Sequence, residues 1–467
     1  MRNHKVYLIG AGPGRADMIT VRGLKILQQA DVIIHDYLVD KAALEGLKPG
    51  AEIISSERYG KKACHGRSGQ AQKKINDLMV KMAKAGRHVA RLKNGDTSIF
   101  SRISEEIEAL EKNKIEFEIV PGVTAASAAS SFTGVPLTDR RYSSNVVFVT
   151  GHENPDKGIK IDWRRIAGMD TIALYMSSGD ISDIAWKLIR SGRPETTAVL
   201  AVSNAGAVNQ KTAIAALGSI ADTVQKNAIK APAIFIIGKT AGLEKRYNWL
   251  RKNRRILFTG LSGERFFLKG AYFHLPLIRI EPLEDYSGFD RYLKNIKMFD
   301  WIVFSSRFGV EYFFKRLKEL GLDARILNNI KIAAIGNCTS ERLLDFTISA
   351  DLVPKKESSK GLIDEFRELD IKAKKIFLPR SDISDKGLEK EFEKLGAKVT
   401  SSFAYRNVMA EGLPDLDLNF FNEIMFTSPS GVRNFIKRYG KPPKKIKISC
   451  IGDVTKKEAE KAAIQLS

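Results

Sequence analysis

Three short segments early in the chain combine small side chains with exposed main chain: Gly10-Ala-Gly-Pro-Gly14, Arg91-Leu-Lys-Asn-Gly-Asp96 and Val120-Pro-Gly-Val-Thr-Ala-Ala126. Each follows or ends an apolar run. Glycine permits positive φ and close approach of a ligand to the backbone, so three such loops along one sheet edge would furnish a cofactor pocket. Asp36 ends the apolar run Val32-Ile33-Ile34. Such a carboxylate can cap the helix or turn after its strand. Its distance from the first loop also suits the ribose-binding acid of a dinucleotide site. Two residues argue against that use: Pro13 removes a backbone donor, and Arg15 stands where the third glycine of the fingerprint belongs. Cys64-His65 offers half a metal site, no second ligand pair is spaced to complete it, and no metal is expected.

These positions need strands and helices to hold them. Val6-Tyr-Leu-Ile9 has the pattern of a short buried strand, and Asp17 to Ala30, with Leu24, Ile26 and Leu27, that of the helix after it. The glycine loop therefore falls at the carboxyl end of a strand, where open α/β sheets bind ligands. A chain of 467 residues, 43% hydrophobic, suggests about three domains of ordinary size. Its apolar runs stay short of the roughly 20 residues that span a bilayer, and Met1-Arg-Asn-His-Lys-Val lacks a signal-peptide core. Cys64, Cys338 and Cys450, three and widely separated, suit a reducing compartment, so a soluble cytoplasmic protein is expected. A formal charge of +22 calls for a polyanionic partner or belongs to a strongly basic, solvated surface. The cations are spread along the whole chain without a zinc finger, an aromatic RNA-binding strand or a basic arm, which counts against nucleic acid. A small polycarboxylate would be steered by the same field.

Read in order, Gly10-Ala-Gly-Pro-Gly14, Gln28 to Val39, Tyr59-Gly-Lys-Lys62, Arg91 to Asp96, Val120 to Ala126, Gly134-Val-Pro-Leu-Thr138 and Thr150-Gly-His152 resemble the uroporphyrinogen-III C-methyltransferases of the tetrapyrrole methylase superfamily. The likeness covers the first half of the chain and rests on the ordered set. It implies an α/β fold of two subdomains, S-adenosylmethionine as methyl donor and a homodimer formed through this unit. It further implies cofactor contacts at Pro13, Asn94, Gly95, Asp96, Ile99, Thr124, Ala125, Met176 and Ala205, with Asp36 and Lys61 as an acid-base pair near the tetrapyrrole. Asp36 would take the proton that the methylated product sheds. Lys61 would donate a proton or bind a substrate carboxylate. Met176, flanked by Leu174 and Tyr175, reads equally as core. The chain departs from the pattern at Asn94, where most relatives have a second glycine, and at Thr97 and Ser98, where they have Pro and an aromatic. It also departs at Arg15, near which they have an Asp, and at Asp139, where they have His.

Lys230 to Gly238 reads as the last strand of this first unit and Leu243 to Arg255 as a charged helical link. The remainder contains a duplication: Trp301 to Val310 aligns with Glu423 to Val432, and Ile330 to Thr339 with Ile446 to Thr455. Two similar α/β lobes follow. In each, a strand ends in Ser or Thr and a helix begins; such hydroxyls either cap the helix or, opposed across a cleft, bind carboxylates. Phe304-Ser-Ser306, Ile335-Gly336, Ser402-Phe-Ala-Tyr405 and Phe426-Thr-Ser-Pro-Ser430 resemble uroporphyrinogen-III synthase, over residues 254 to 467. That resemblance implies a cofactor-free lyase closing hydroxymethylbilane, with Tyr405 assisting loss of the hydroxyl and Ser306, Thr339, Ser428 and Thr455 near the substrate. Tyr405 reads equally as a half-buried strand residue. Relatives continue past Ala462 with another strand and helix, so a shortened second domain is expected.

The combined expectation is two domains, 1–245 and 254–467, that cyclise hydroxymethylbilane and methylate the product twice to precorrin-2, on the sirohaem or cobalamin branch. The rivals are a basic nucleic-acid-binding protein or RNA methyltransferase, and a scaffold that keeps cofactor binding without catalysis.

Overall fold

Strand β1 (Lys5–Gly10) opens a parallel sheet with β2 (Val32–His35), β3 (Glu52–Ser55), β4 (Val89–Lys93) and β5 (Glu116–Val120), in the order β3-β2-β4-β1-β5. The computed structural model describes residues 5–44, 46–59, 69–153, 158, 160–262, 270–462 and 464. Helices α1 (Val21–Leu27), α2 (Gly69–Lys84) and α3 (Ile103–Lys112) lie between these strands in sequence, and α4 (Ala125–Thr133) follows the last. Val6, Leu8, Val32, Ile34 and Val89 pack with Ile75 and Met79 of α2. Ile9, Ile33, Ala90 and Leu92 pack with Leu27 of α1. Both faces are thus covered, as a parallel sheet requires. The chain leaves β1 for β2 on one side and leaves β4 for β5 on the other. The carboxyl ends of β1 and β4, neighbours in the sheet, therefore flank the point where such folds open a crevice.

The helix expected over 17–30 is shorter. A 3-10 turn covers Ala16–Met18, and α1 begins only after Thr20, whose hydroxyl accepts the Gly23 N–H at 3.2 Å. That cap sets the start of the helix.

A second sheet follows in the order β6-β7-β10-β8-β9: β6 (Val146–Thr150), β7 (Thr171–Tyr175), β8 (Ala198–Ser203), β9 (Lys211–Ala216) and β10 (Ala233–Gly238). Only β6 and β7 run parallel; the other pairs are antiparallel. Ile181, Ile184, Ala185 and Leu188 form the buried stripe of a helix over Ile181–Arg190 and join the core of this sheet. The expected helical link from Leu243 to Arg255 holds two short α-helices, Glu244–Tyr247 and Trp249–Lys252, after a 3-10 turn over Lys239–Leu243.

The chain divides into two compact units: Met1–Leu257 with Arg265–Phe273 and Pro414–Ile424, and Phe258–Glu264 with His274–Leu413 and Met425–Ser467. The second unit contains a sheet with strands in the order Ile278–Glu281, Lys398–Met409, Lys375–Ser381, Trp301–Phe304, Lys331–Ala334, the first antiparallel to its neighbour and the others parallel. Phe289, Phe304, Phe313 and Phe377 fill one face of it, and Trp301, Phe366 and Phe392 the other. The duplication is visible locally. Trp301–Phe304 leads through Ser306 into helix Arg307–Glu319, and the strand ending at Phe426 leads through Ser428 into helix Pro429–Tyr439. Likewise Lys331–Ala334 precedes helix Asn337–Leu344, and Lys447–Cys450 precedes Asp453–Lys461. No helix among the described residues is long and apolar enough to cross a membrane.

Candidate functional site

At the carboxyl edge of the first sheet the three small-residue loops close on one another. Gly12 and Gly95 form a two-residue bridge, Gly12 N–H to Gly95 O at 3.1 Å and Gly95 N–H to Gly12 O at 2.8 Å. A Cβ on Gly10 would lie 2.6 Å from the Gly122 Cα and 2.8 Å from the Gly95 oxygen, so no larger residue fits where the loops cross. Asp96 fastens the second loop to the third: one carboxylate oxygen accepts the Gly122 N–H at 2.9 Å and the other the Ser98 N–H at 2.8 Å. Burial would raise the Asp96 pKa, yet those hydrogen bonds hold it below the ordinary carboxylate range. Gly95 adopts φ +66°, and a Cβ there would meet nothing nearer than the Ala125 nitrogen at 3.9 Å. The hollow in front of Gly95 is bordered by backbone, and Asn94 Oδ1 is buried without a hydrogen-bond partner. An adenosyl and amino-acid ligand, rich in donors, fits such a cradle of main chain with an unused acceptor.

The second sheet contributes to the same edge. The Tyr175 hydroxyl lies 2.8 Å from Thr124 Oγ1 and accepts the Ala126 N–H at 3.2 Å, tying the end of β7 to the start of α4. Burial pushes its phenol above the ordinary value. The Phe100 ring packs on Tyr175 at 5.1 Å, and Ile99 beside it is half-buried. Met176 follows in the left-handed region at φ +52° and is 42% exposed. It is held out from the core, which removes the core reading. Ala205 is buried and lies in the loop after β8.

Asp36 sits beside this edge at the end of β2. Arg91 Nη2 donates to Oδ1 at 2.6 Å, and the Asn94 N–H donates to Oδ2 at 3.3 Å. Arg91 also donates through Nε to Glu106 at 2.9 Å, and Lys93 Nζ reaches the other Glu106 oxygen at 2.7 Å. Arg91, Lys93 and Glu106 are almost wholly enclosed. Two carboxylates thus balance two cations inside the fold. Burial would raise the Asp36 pKa, and the charges of Arg91 and Lys93 with the two hydrogen bonds overcome it, leaving Asp36 below the ordinary range. Burial depresses Lys93 in spite of Glu106. Pro13 lies in the glycine loop; Lys61 and Cys64-His65 lie outside the described residues. Among the described residues no group of three or more His, Cys, Asp or Glu is placed to hold a metal.

In the second unit, Ser306 Oγ lies 2.9 Å from the Tyr405 hydroxyl and accepts the N–H groups of Phe308 and Gly309 at 3.1 and 3.2 Å. Tyr405 is 6% exposed, in the aromatic core rather than half-buried, and burial raises its phenol above the ordinary value. Ser428 caps its helix through the Gly431 N–H at 3.1 Å and lies 3.2 Å from Ser430, which contacts Asn407. Thr339 and Thr455 are buried within their helices. The start of the helix at Asn337 is occupied by Glu357, which accepts the Asn337 N–H at 3.2 Å and its amide at 2.8 Å.

Sequence reasoning brought the three loops together but missed Tyr175, Arg91, Lys93 and Glu106 as partners. Two charged residues alternating in an otherwise apolar strand were the available signal for Arg91 and Lys93. Glu106 gave none, because its partners are set by how α3 packs.

Residues 5–221 match the model of the tetrapyrrole (corrin/porphyrin) methylases, and residues 269–466 that of uroporphyrinogen-III synthase HemD. The porphyrin biosynthesis protein HemD of Ruminiclostridium josui is 29% identical over 99% of this chain and 94% of its own length. The uroporphyrinogen-III C-methyltransferase of Priestia megaterium is 42% identical, covering 50% of this chain and 97% of its own. A solved structure of the Thermus thermophilus uroporphyrin-III C-methyl transferase complexed with S-adenyl homocysteine is 32% identical over 50% of this chain and 92% of its own, with a TM-score of 0.42. The chain spans about half the length of the siroheme synthases it also matches. The chain therefore belongs to the uroporphyrinogen-III C-methyltransferases of the tetrapyrrole methylase family through its first half, fused to a uroporphyrinogen-III synthase domain in its second.

Proposed function

We propose that residues 254–467 cyclise hydroxymethylbilane to uroporphyrinogen III and that residues 1–245 methylate this product twice, giving precorrin-2. The observation that carries the reading is the meeting of the Gly10–Gly14, Asn94–Asp96 and Pro121–Ala126 loops in front of Gly95, with Asp36 bound to the same loop. When bound there, S-adenosylmethionine supplies the methyl group on a sulfonium. The loops hold the donor through main-chain groups of Pro13, Asn94, Gly95, Thr124 and Ala125, with Ile99, Met176 and Ala205 beside it, and Asp96 braces them. Fixing donor and pyrrole carbon at reacting distance supplies most of the acceleration. Asp36, kept anionic by Arg91, takes the proton that the methylated tetrapyrrole releases, and Lys61 donates a proton to the tetrapyrrole or binds one of its carboxylates.

In the second unit, two backbone N–H groups already occupy Ser306 Oγ as acceptor. Its own hydrogen then points to the Tyr405 oxygen, which leaves the phenol hydrogen available to a departing hydroxyl. A phenol is protonated at neutral pH, and burial raises this one further above its ordinary value. Ser428 completes the proposed substrate edge, and the proposed contacts at Thr339 and Thr455 belong to helices in which both side chains are buried. The protein works in the cytoplasm as a homodimer through its methyltransferase unit, and its polycarboxylate substrates account for the +22 charge.

Anaerobic incubation with hydroxymethylbilane and S-adenosylmethionine tests this reading, with the type III isomer and precorrin-2 followed by absorbance and mass. Both products are expected. Neither product, together with salt-dependent nucleic-acid binding, would overturn it.

A further inference from the structure

We infer that Arg15 is a positioning residue that sets the spacing between the two sheets across the cofactor cleft. Its guanidinium joins its own loop to two other pieces of chain that border the cleft. It belongs to the loop after β1. Nη1 donates to the Gly206 oxygen at 3.2 Å, 191 residues away in the loop after β8 that carries Ala205. Its face lies over the Phe132 ring of α4, 5.4 Å from the centroid, and α4 begins at Thr124 and Ala125. The remaining edge is held by Asp17, which accepts from Nε at 2.8 Å and also from Nη2.

Two consequences follow from this geometry. The positive charge is paired with Asp17 of the same loop, and the guanidinium's other contacts are to backbone and ring rather than to a second carboxylate. Its contacts join its own loop to the loop after β8 and to α4, so their distances are fixed together. A planar fork suits that task; a lysine point charge keeps at most part of it. The Gly206 end is itself rigid, since its N–H donates to buried Gln210 at 2.6 Å and a Cβ at Gly206 would strike the Phe132 ring.

The inference rests on the reading that the cleft binds S-adenosylmethionine. The test is calorimetric titration of the full chain with S-adenosylhomocysteine, comparing wild type with Arg15→Met, Arg15→Lys and Arg190→Met, an exposed arginine stacked on Trp186 in the same unit. Loss of a charge-assisted contact network of this kind is expected to raise the dissociation constant about tenfold in Arg15→Met, with Arg15→Lys between it and wild type and Arg190→Met at the wild-type value. In turnover, KM for the methyl donor is expected to rise while KM for the tetrapyrrole holds. General loosening would raise both and overturn the inference. Should Arg15→Met fail to fold, Phe132→Leu removes the ring under the guanidinium and is expected to weaken binding about threefold. Wild type and Arg15→Met binding equally would overturn the inference alone. A wild-type chain that does not bind would overturn the cofactor reading as well.

Discussion

Asp36 is a carboxylate whose neighbours keep it charged. Its folded pKa lies below the unfolded value, so the unfolded state binds more protons as acid is added. The stability it contributes is present above about pH 3.9 and is lost as the pH falls through the folded value. Asp36→Asn is therefore expected to flatten the acid limb of a plot of melting temperature against pH. The same substitution should lower methylation by about 10²–10⁴-fold while S-adenosylhomocysteine still binds; unchanged turnover would remove its role as proton acceptor. Tyr405→Phe is the counterpart in the second unit. Cyclisation is expected to slow while supplied uroporphyrinogen III is still methylated, and a normal cyclisation rate would return Tyr405 to the aromatic core in which it sits. Tyr405 shows the limit of reading one residue from sequence. Its pairing with Ser306 crosses 99 positions, and its burial depends on Tyr286, Phe308 and Tyr312 arriving from elsewhere.

Among the elements, β4 carries the unusual burden of two cations in a strand that is buried throughout. Glu106 of α3 answers both, and Glu106→Gln would leave an unbalanced buried cation. A loss of about 3–5 kcal/mol in urea unfolding is expected, and a loss under 1 kcal/mol would mean water reaches the network. Gly95→Val acts differently. It forces a branched side chain into φ +66° and into the hollow before Ala125, and S-adenosylhomocysteine binding is expected to disappear; intact affinity would mean the pocket lies elsewhere. The loops were legible because glycine, proline and small residues mark close backbone approach wherever they occur. The α3 contact was not, since an amphipathic helix shows which face is buried without showing which charged partner its first turn will meet. The 17–30 helix was read too long for a similar reason. Apolar spacing continued through it, and the Thr20 cap, a single hydroxyl, decided the start.

Taken as a whole molecule, the chain repeats a strand, a capping serine and a helix at 301–319 and again at 423–439. That repetition was visible in the sequence because the residues themselves repeat. The buried state of Thr339 and Thr455 was not, since a threonine early in a helix reads alike whether it faces solvent or core. The net charge of +22 belongs to this scale too. If it gathers a polycarboxylate bilane, kcat/KM for cyclisation is expected to fall as salt is raised beyond about 0.1 M, where screening acts within roughly 10 Å, while kcat holds; a flat profile would leave the charge without that role. Tyr175, bound to the start of α4 and raised above its ordinary pKa by burial, has one more consequence. It gives the protein an optical probe at the seam between two sheets. In an alkaline titration its phenolate absorbance is expected to appear later than that of the exposed tyrosines, and a ligand seated in the cleft should delay it further.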